Sequence, residues 1–176
     1  MLNPLSETTF EAHIANYLAN SDLYNQRSSA QFDIERLCDA EMLEQFLRAQ
    51  PIVWQKLSQH FAGRETETVI REYNKRLDRG ESILNIMRKG FTVSGAKVKF
   101  CQFKPTLEGE GTENYRLYRA NRFSVVRQMR YSMGADSGNE LDLCILLNGI
   151  PLFTFELKNE GTGQNYTHGI AQYRTQ

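Results

Sequence analysis

Residues 140–158, ELDLCILLNGIPLFTFELK, place two apolar runs on either side of Asn148-Gly149. Asn-Gly between such runs is the strongest short-range hairpin signal, because both turn residues must accept a positive φ. The run 140–147 is therefore expected to fold back along 150–158. Side chains in extended backbone alternate between faces. Phe153, Phe155 and Leu157 take one face; Thr154, Glu156 and Lys158 take the other. Asp142 lies on the partner strand. A regular two-residue loop opposes Leu147 to Ile150 and Asp142 to Phe155, which puts Asp142 and Glu156 on opposite faces. One extra residue must be absorbed if the two carboxylates are to meet. A three-residue loop, 147–149, with Gly149 left-handed in a bulge, is the expected solution. It makes Glu156 the diagonal neighbour of Asp142. A loop over 148–150 would instead oppose the two directly.

The hydrophobic period changes along the chain. Before about residue 90 apolar residues recur at helical spacing. Phe10, Ile14, Tyr17 and Leu18 mark a helix over about 7–19, with Ser6 as N-cap. Asp39 caps a second, carrying Met42, Leu43, Phe46 and Leu47. Pro51 opens a third, with Val53, Trp54, Leu57 and Phe61. Residues 65–79 form a fourth, stopped by Gly80, and Ser82–Lys89 a short fifth ended by Gly90. Beyond residue 90 the period falls to two: 97–103, 121–132, 140–147 and 150–158 read as strands, with 105–114 and 133–139 as loops. The segment 165–176 returns to helix. The expected architecture is α/β (α+β): one domain over 1–176, its helical part about 1–90 and its sheet core about 91–176, with a mixed, largely antiparallel sheet flanked by helices.

Composition narrows the function classes. The 176 residues suffice for a domain-sized core. No apolar run reaches membrane-spanning length, and the first residues, MLNPLSETTFEAHI, lack the pattern of a signal peptide. The three cysteines, Cys38, Cys101 and Cys144, are widely spaced, so they read as reduced core thiols of a cytoplasmic protein. His13, His60 and His168 show no metal-ligand spacing. Overall charge is balanced, yet the stretch 97–130 has eight basic residues against three acidic, a net +5. Such a surface suits a phosphate backbone, and Arg122, Arg127 and Arg130 are its candidate DNA contacts. A solvated strand face would read the same way.

An Asp, a Glu and a Lys on neighbouring strands can share the work of phosphodiester hydrolysis. Two carboxylates, with a main-chain carbonyl and waters, offer the hard oxygens that hold a divalent cation such as Mg²⁺. Lysine can orient the attacking water and offset charge that builds on phosphorus. The blander account is a surface salt pair, Glu156 with Lys158, on an interaction domain. It requires a fully exposed Glu156 that does not approach Asp142.

NRFSVVRQMRYS, then ELDLCILLNGIPLFTFELKN, then a helix containing Gln172, resemble the N-terminal nuclease domain of type I restriction enzyme R subunits. SETTFEAHI and FLRAQPIVWQKL extend the resemblance over nearly the whole chain. It implies the PD-(D/E)xK nuclease fold, with Asp142 and Glu156 as metal ligands and Lys158 as the catalytic lysine. Leu141 stands where the motif name has proline. Gln172 matches the first position of the family's Gln-x-x-x-Tyr motif, and Gln176 replaces the tyrosine. Related nucleases place a glutamate from the first helix near the metal, and Glu7, inside the apolar face of that helix, is the candidate for it here; it also suits a first-turn acid facing the helix dipole. The resemblance further implies double-stranded DNA as substrate, methyltransferase (M) and specificity (S) subunits as partners, and ATP-driven translocation by other domains of a longer subunit. No Gly-x-x-x-x-Gly-Lys-Ser/Thr loop occurs here, so ATP would act through those domains. The alternative is a non-catalytic DNA-binding or subunit-docking module that keeps the nuclease fold.

Overall fold

The computed structural model describes residues 6–107, 109–132, 139–157, Thr167 and Ile170. Local chemistry sets the helices. Helix α1 (Glu7–Ala19) starts where the Ser6 side chain accepts from the Thr9 N–H. Helix α2 (Ala40–Arg48) starts at Asp39, which accepts from Met42 N. Pro51 opens α3 (Pro51–Phe61), where its missing N–H costs nothing. Helix α4 spans Glu65–Asp78, and α5 (Ile83–Lys89) runs from its cap Ser82 to Gly90 at φ 60°. These five agree with the spacing read from the sequence.

The strands are Tyr24–Arg27 (β1), Phe91–Val93 (β2), Ala96–Val98 (β3), Phe123–Arg130 (β4), Glu140–Leu147 (β5) and Ile150–Phe155 (β6). The main sheet has the order β1-β4-β5-β6; β1 pairs parallel with β4, and the rest is an antiparallel meander. A separate hairpin joins β2 to β3. The fold class is thus the mixed α/β arrangement expected. Four elements differ from the sequence reading, the first being the short strand β2 directly after Gly90. Strand β1 interrupts the helical half. The strand expected over 97–103 is confined to Ala96–Val98. A sixth helix, α6 (Glu113–Ala120), occupies the end of the expected loop, capped by Thr112 and anchored by buried Leu117. Of the loop expected at 133–139 and the helix expected at 165–176, most lies outside the described residues.

Three apolar clusters hold these layers. The largest joins α2–α5 to the β2–β3 hairpin through Leu43, Leu57, Ile70, Tyr73, Phe100 and Ile150. On one face of the main sheet, Ala15 of α1 meets Val125 and Leu143, with Leu157 alongside. On the other, Phe32 meets Val126, Cys144 and Leu146. Neighbouring residues of β4 and β5 thereby serve opposite faces, as strand alternation requires. Cys38 and Cys144 are buried free thiols, and burial pushes both up to about 12. Their folded pKa values exceed the unfolded ones, so this contribution to stability is complete below about pH 9 and is lost as pH rises toward 12.

The β5–β6 turn is buried, unlike most hairpin turns. Asn148 and Gly149 have φ of 51° and 84°, the two-residue geometry that Asn-Gly favours. Asn148 is 0% exposed. Its Oδ1 accepts from Arg122 N at 2.8 Å, and its Nδ2 donates to Phe100 O at 2.9 Å and to Asn121 Oδ1 at 3.0 Å. Gly149 O accepts from Asp39 N at 2.8 Å, and a Cβ on Gly149 would stand 2.2 Å from Asp39 O. Gly149→Ala therefore combines left-handed strain with a backbone clash. We expect a loss of roughly 3 kcal/mol, read as a lower urea midpoint. The midpoint should also fall between pH 9 and pH 11, and fall less in a Cys144→Ala variant measured against its own pH 7 value.

Candidate active site

The register of the β5–β6 hairpin decides whether Asp142 and Glu156 meet. Leu147 opposes Ile150 and Leu146 opposes Pro151, the register of a regular two-residue loop. From Ile145 onward the register has shifted: Ile145 opposes Phe153, Cys144 opposes Thr154, and Leu143 opposes Phe155. Leu152 is the extra residue, a β-bulge within β6. The three-residue loop expected at 147–149 is therefore not found. The turn is regular, and the extra residue is absorbed three positions further on. The parity of the far end of the hairpin is changed all the same. The last pair is Leu143 with Phe155, so Glu156 follows just past the end of β6, next to the position that would oppose Asp142 if the ladder continued.

The Asp142 side chain reaches the backbone of Leu157, the residue after Glu156. Its Oδ2 accepts from the Leu157 N–H at 2.5 Å, so the carboxylate closes the end of the ladder where β6 leaves the sheet. Asp142 is half-buried. Glu156 is half-buried too, with Oε1 out of contact with solvent. Glu156 is therefore not the fully exposed glutamate that a surface salt pair requires. On the other side of Asp142, Gln128 of β4 lies between the Arg127–Leu143 and Met129–Leu141 pairs and has φ 49°. This left-handed step breaks the alternation: Leu141 joins the Phe32 cluster, while Leu143 joins the α1 cluster. Backbone of this kind is tolerated only where surrounding packing enforces it.

The donor set is two carboxylates, hard oxygen ligands that fit Mg²⁺, which commonly takes one or two carboxylates and keeps several waters. Among the described residues no group of three or more His, Cys, Asp and Glu is gathered as a metal site. Lys158 and Gln172 lie outside the described residues. Glu7 is half-buried in the first turn of α1.

One turn later in the same helix stands an acid that the sequence reading passed over. Glu11 is only 3% exposed and pairs with Arg127 Nε at 2.7 Å. Its spacing was the available signal, since Glu11, Ala15 and Leu18 follow one helical stripe. Arg127 is thus committed to a buried partner. Arg130 pairs with Glu140 at 3.0 Å near the surface. Arg122 donates through one guanidinium nitrogen to Arg119 O and Asn121 O at the end of α6. The three arginines expected to face DNA therefore lie in different settings, and Arg122 has no carboxylate partner among the described residues.

The family model for the type I restriction enzyme R protein N terminus matches residues 5–176. The chain belongs to that family. No curated protein and no solved structure matches it significantly. Membership makes the chain an N-terminal domain of a type I restriction enzyme R subunit and ties it to restriction systems. Among the described residues no helix of this R-subunit domain is long and apolar enough to cross a membrane.

Removing one partner of a buried ion pair strands the other. Arg127→Ala should cost about 3 kcal/mol in urea unfolding, because Glu11 remains buried without its partner. Pairing that change with Glu11→Leu should recover a large part of the loss.

Proposed function

We propose that this R-subunit domain is a Mg²⁺-dependent endonuclease that hydrolyses phosphodiester bonds of double-stranded DNA with little sequence preference. The observation that supports the reading is the shifted register, together with the bond from Leu157 N to Asp142 Oδ2 at the open end of the β5–β6 ladder, one residue past Glu156. The one-residue correction turns Leu157 onto the α1 cluster and, by the same step, Glu156 onto the opposite face. In this reading it brings two half-buried carboxylates to neighbouring positions, the kind of donor pair that suits a divalent cation.

Asp142 and Glu156 would hold the ion. When bound, it would supply Lewis-acid polarisation of the scissile phosphate. In this reading Lys158 orients the attacking water and offsets negative charge on the phosphate, and Gln172 extends the site. The Leu157 N–H fixes one carboxylate oxygen of Asp142 and so limits its rotation. Target choice belongs to the methyltransferase and specificity subunits of a cytoplasmic restriction complex, so the nuclease has no need to read bases. ATP-driven translocation belongs to other domains of the full-length subunit.

The test uses the full complex with Mg²⁺, a circular DNA substrate and ATP. Asp142→Ala, Glu156→Ala and Lys158→Ala should each abolish cutting while translocation persists. Cutting by Lys158→Ala within a few fold of wild type would defeat the assignment. Calcium titration separates this reading from a docking module that keeps the fold: Asp142→Ala should lose calcium binding, and a docking module should show none to lose.

A further inference from the structure

Residues 99–104 divide two clefts that share Cys101, Gln102 and Phe103 as common walls. The larger, about 500 Å³, lies between the end of α6 and the turn end of the main sheet. Lys104, Arg119 and Arg122 border it, with Tyr118 and Phe123 adding aromatic surface. The smaller, about 230 Å³, is bordered by Arg88, Lys89, Lys97 and Lys99. Seven cations thus surround the joined clefts, against one carboxylate, Asp22. Among the described residues none of the seven is in an ion pair, whereas Arg27, Arg36, Arg76 and Arg127 all are. Five of the seven, Lys97, Lys99, Lys104, Arg119 and Arg122, come from the basic 97–130 stretch.

Phe103 stands between the clefts and is 64% exposed. A single exposed ring is ordinary on a protein surface. A ring forming the wall between two cationic clefts is the combination used to hold unpaired nucleic acid, cations tracking phosphates and an aromatic face stacking a base. Clefts of this size enclose a base or a phosphate, not a paired duplex. They are also remote from the carboxylates. Leu147 and Leu152 line the larger cleft at the turn end of the hairpin, and Leu147 is five residues from Asp142, about 17 Å at the rise of a strand.

We propose that the joined clefts are a second nucleic-acid site, which takes a single strand of DNA with phosphates along the cations and one base on Phe103. This inference does not rest on hydrolysis at Asp142 and Glu156, because binding is measured without metal.

The test is fluorescence anisotropy of a labelled oligo-dT strand, and of a duplex of equal length, with this chain in EDTA. The strand should bind at least about tenfold tighter than the duplex. Phe103→Ala should weaken strand binding about fivefold or more, the effect of losing one stacked base. Lys97→Ala and Arg119→Ala should each lower the salt slope by about 0.7. All three side chains are exposed, and circular dichroism checks that each variant keeps its fold. Duplex binding as tight as strand binding, wild-type affinity in Phe103→Ala, or an unchanged slope in both cation variants would overturn the proposal.

Discussion

The contact between Gly149 and Asp39 holds the two halves of the chain in one frame. Gly149 O accepts from the backbone of Asp39, and only a residue without Cβ fits so close to Asp39 O. Asp39 is 1% exposed and serves two further roles: it caps α2, and it pairs with Arg27 of β1 at 2.8 Å. Arg27 reaches on to Glu41 at 2.6 Å. The parallel edge strand, the first turn of α2 and the hairpin turn thus converge on one buried aspartate. The two pairs hold the Arg27 guanidinium above its ordinary pKa, first through the Asp39 bond, so this charge is fixed over the whole working range.

Asn148 extends that frame from the next position. Its side-chain amide ties the turn to Phe100, Asn121 and the start of β4. Gln50 makes the same kind of link from the helical side, exchanging bonds with Lys99 N and O. Extended backbone over 99–102 thereby finds partners without belonging to a sheet, which explains why the alternating run 97–103 ended as a strand at Val98. Its hydrogen bonds go to side-chain amides instead of a neighbouring strand.

Features governed by adjacent residues were legible in the sequence. Ser6, Asp39, Pro51, Ser82 and Gly90 each punctuate a helix through chemistry within one turn, and the structure keeps all five. Strand β1 was not legible: Tyr-Asn-Gln-Arg has no apolar alternation and becomes a strand only because β4 lies beside it. Helix α6 follows glycines and is mostly polar, so it read as loop until Leu117 found its buried place. The need for an odd residue between Asp142 and Glu156 was legible; its location was not. Gly149 was the obvious host for a bulge, but contact with Asp39 fixes the turn, and the irregularity moved to Leu152. The buried acid of α1, Glu11, lies one turn beyond Glu7 and owes its place to Arg127 of a distant strand.

The bulge at Leu152 works as a parity device. Chain length between the two carboxylates sets which side of the sheet each one faces, and each added or removed residue reverses the answer. Side chains along this stretch can change widely in size and polarity without altering that count. A lineage could therefore rewrite much of the hairpin by substitution, while a single-codon deletion beside Leu152 would leave every residue chemically intact and the two acids back to back. Length variation here is compatible with a shared carboxylate face only in steps of two.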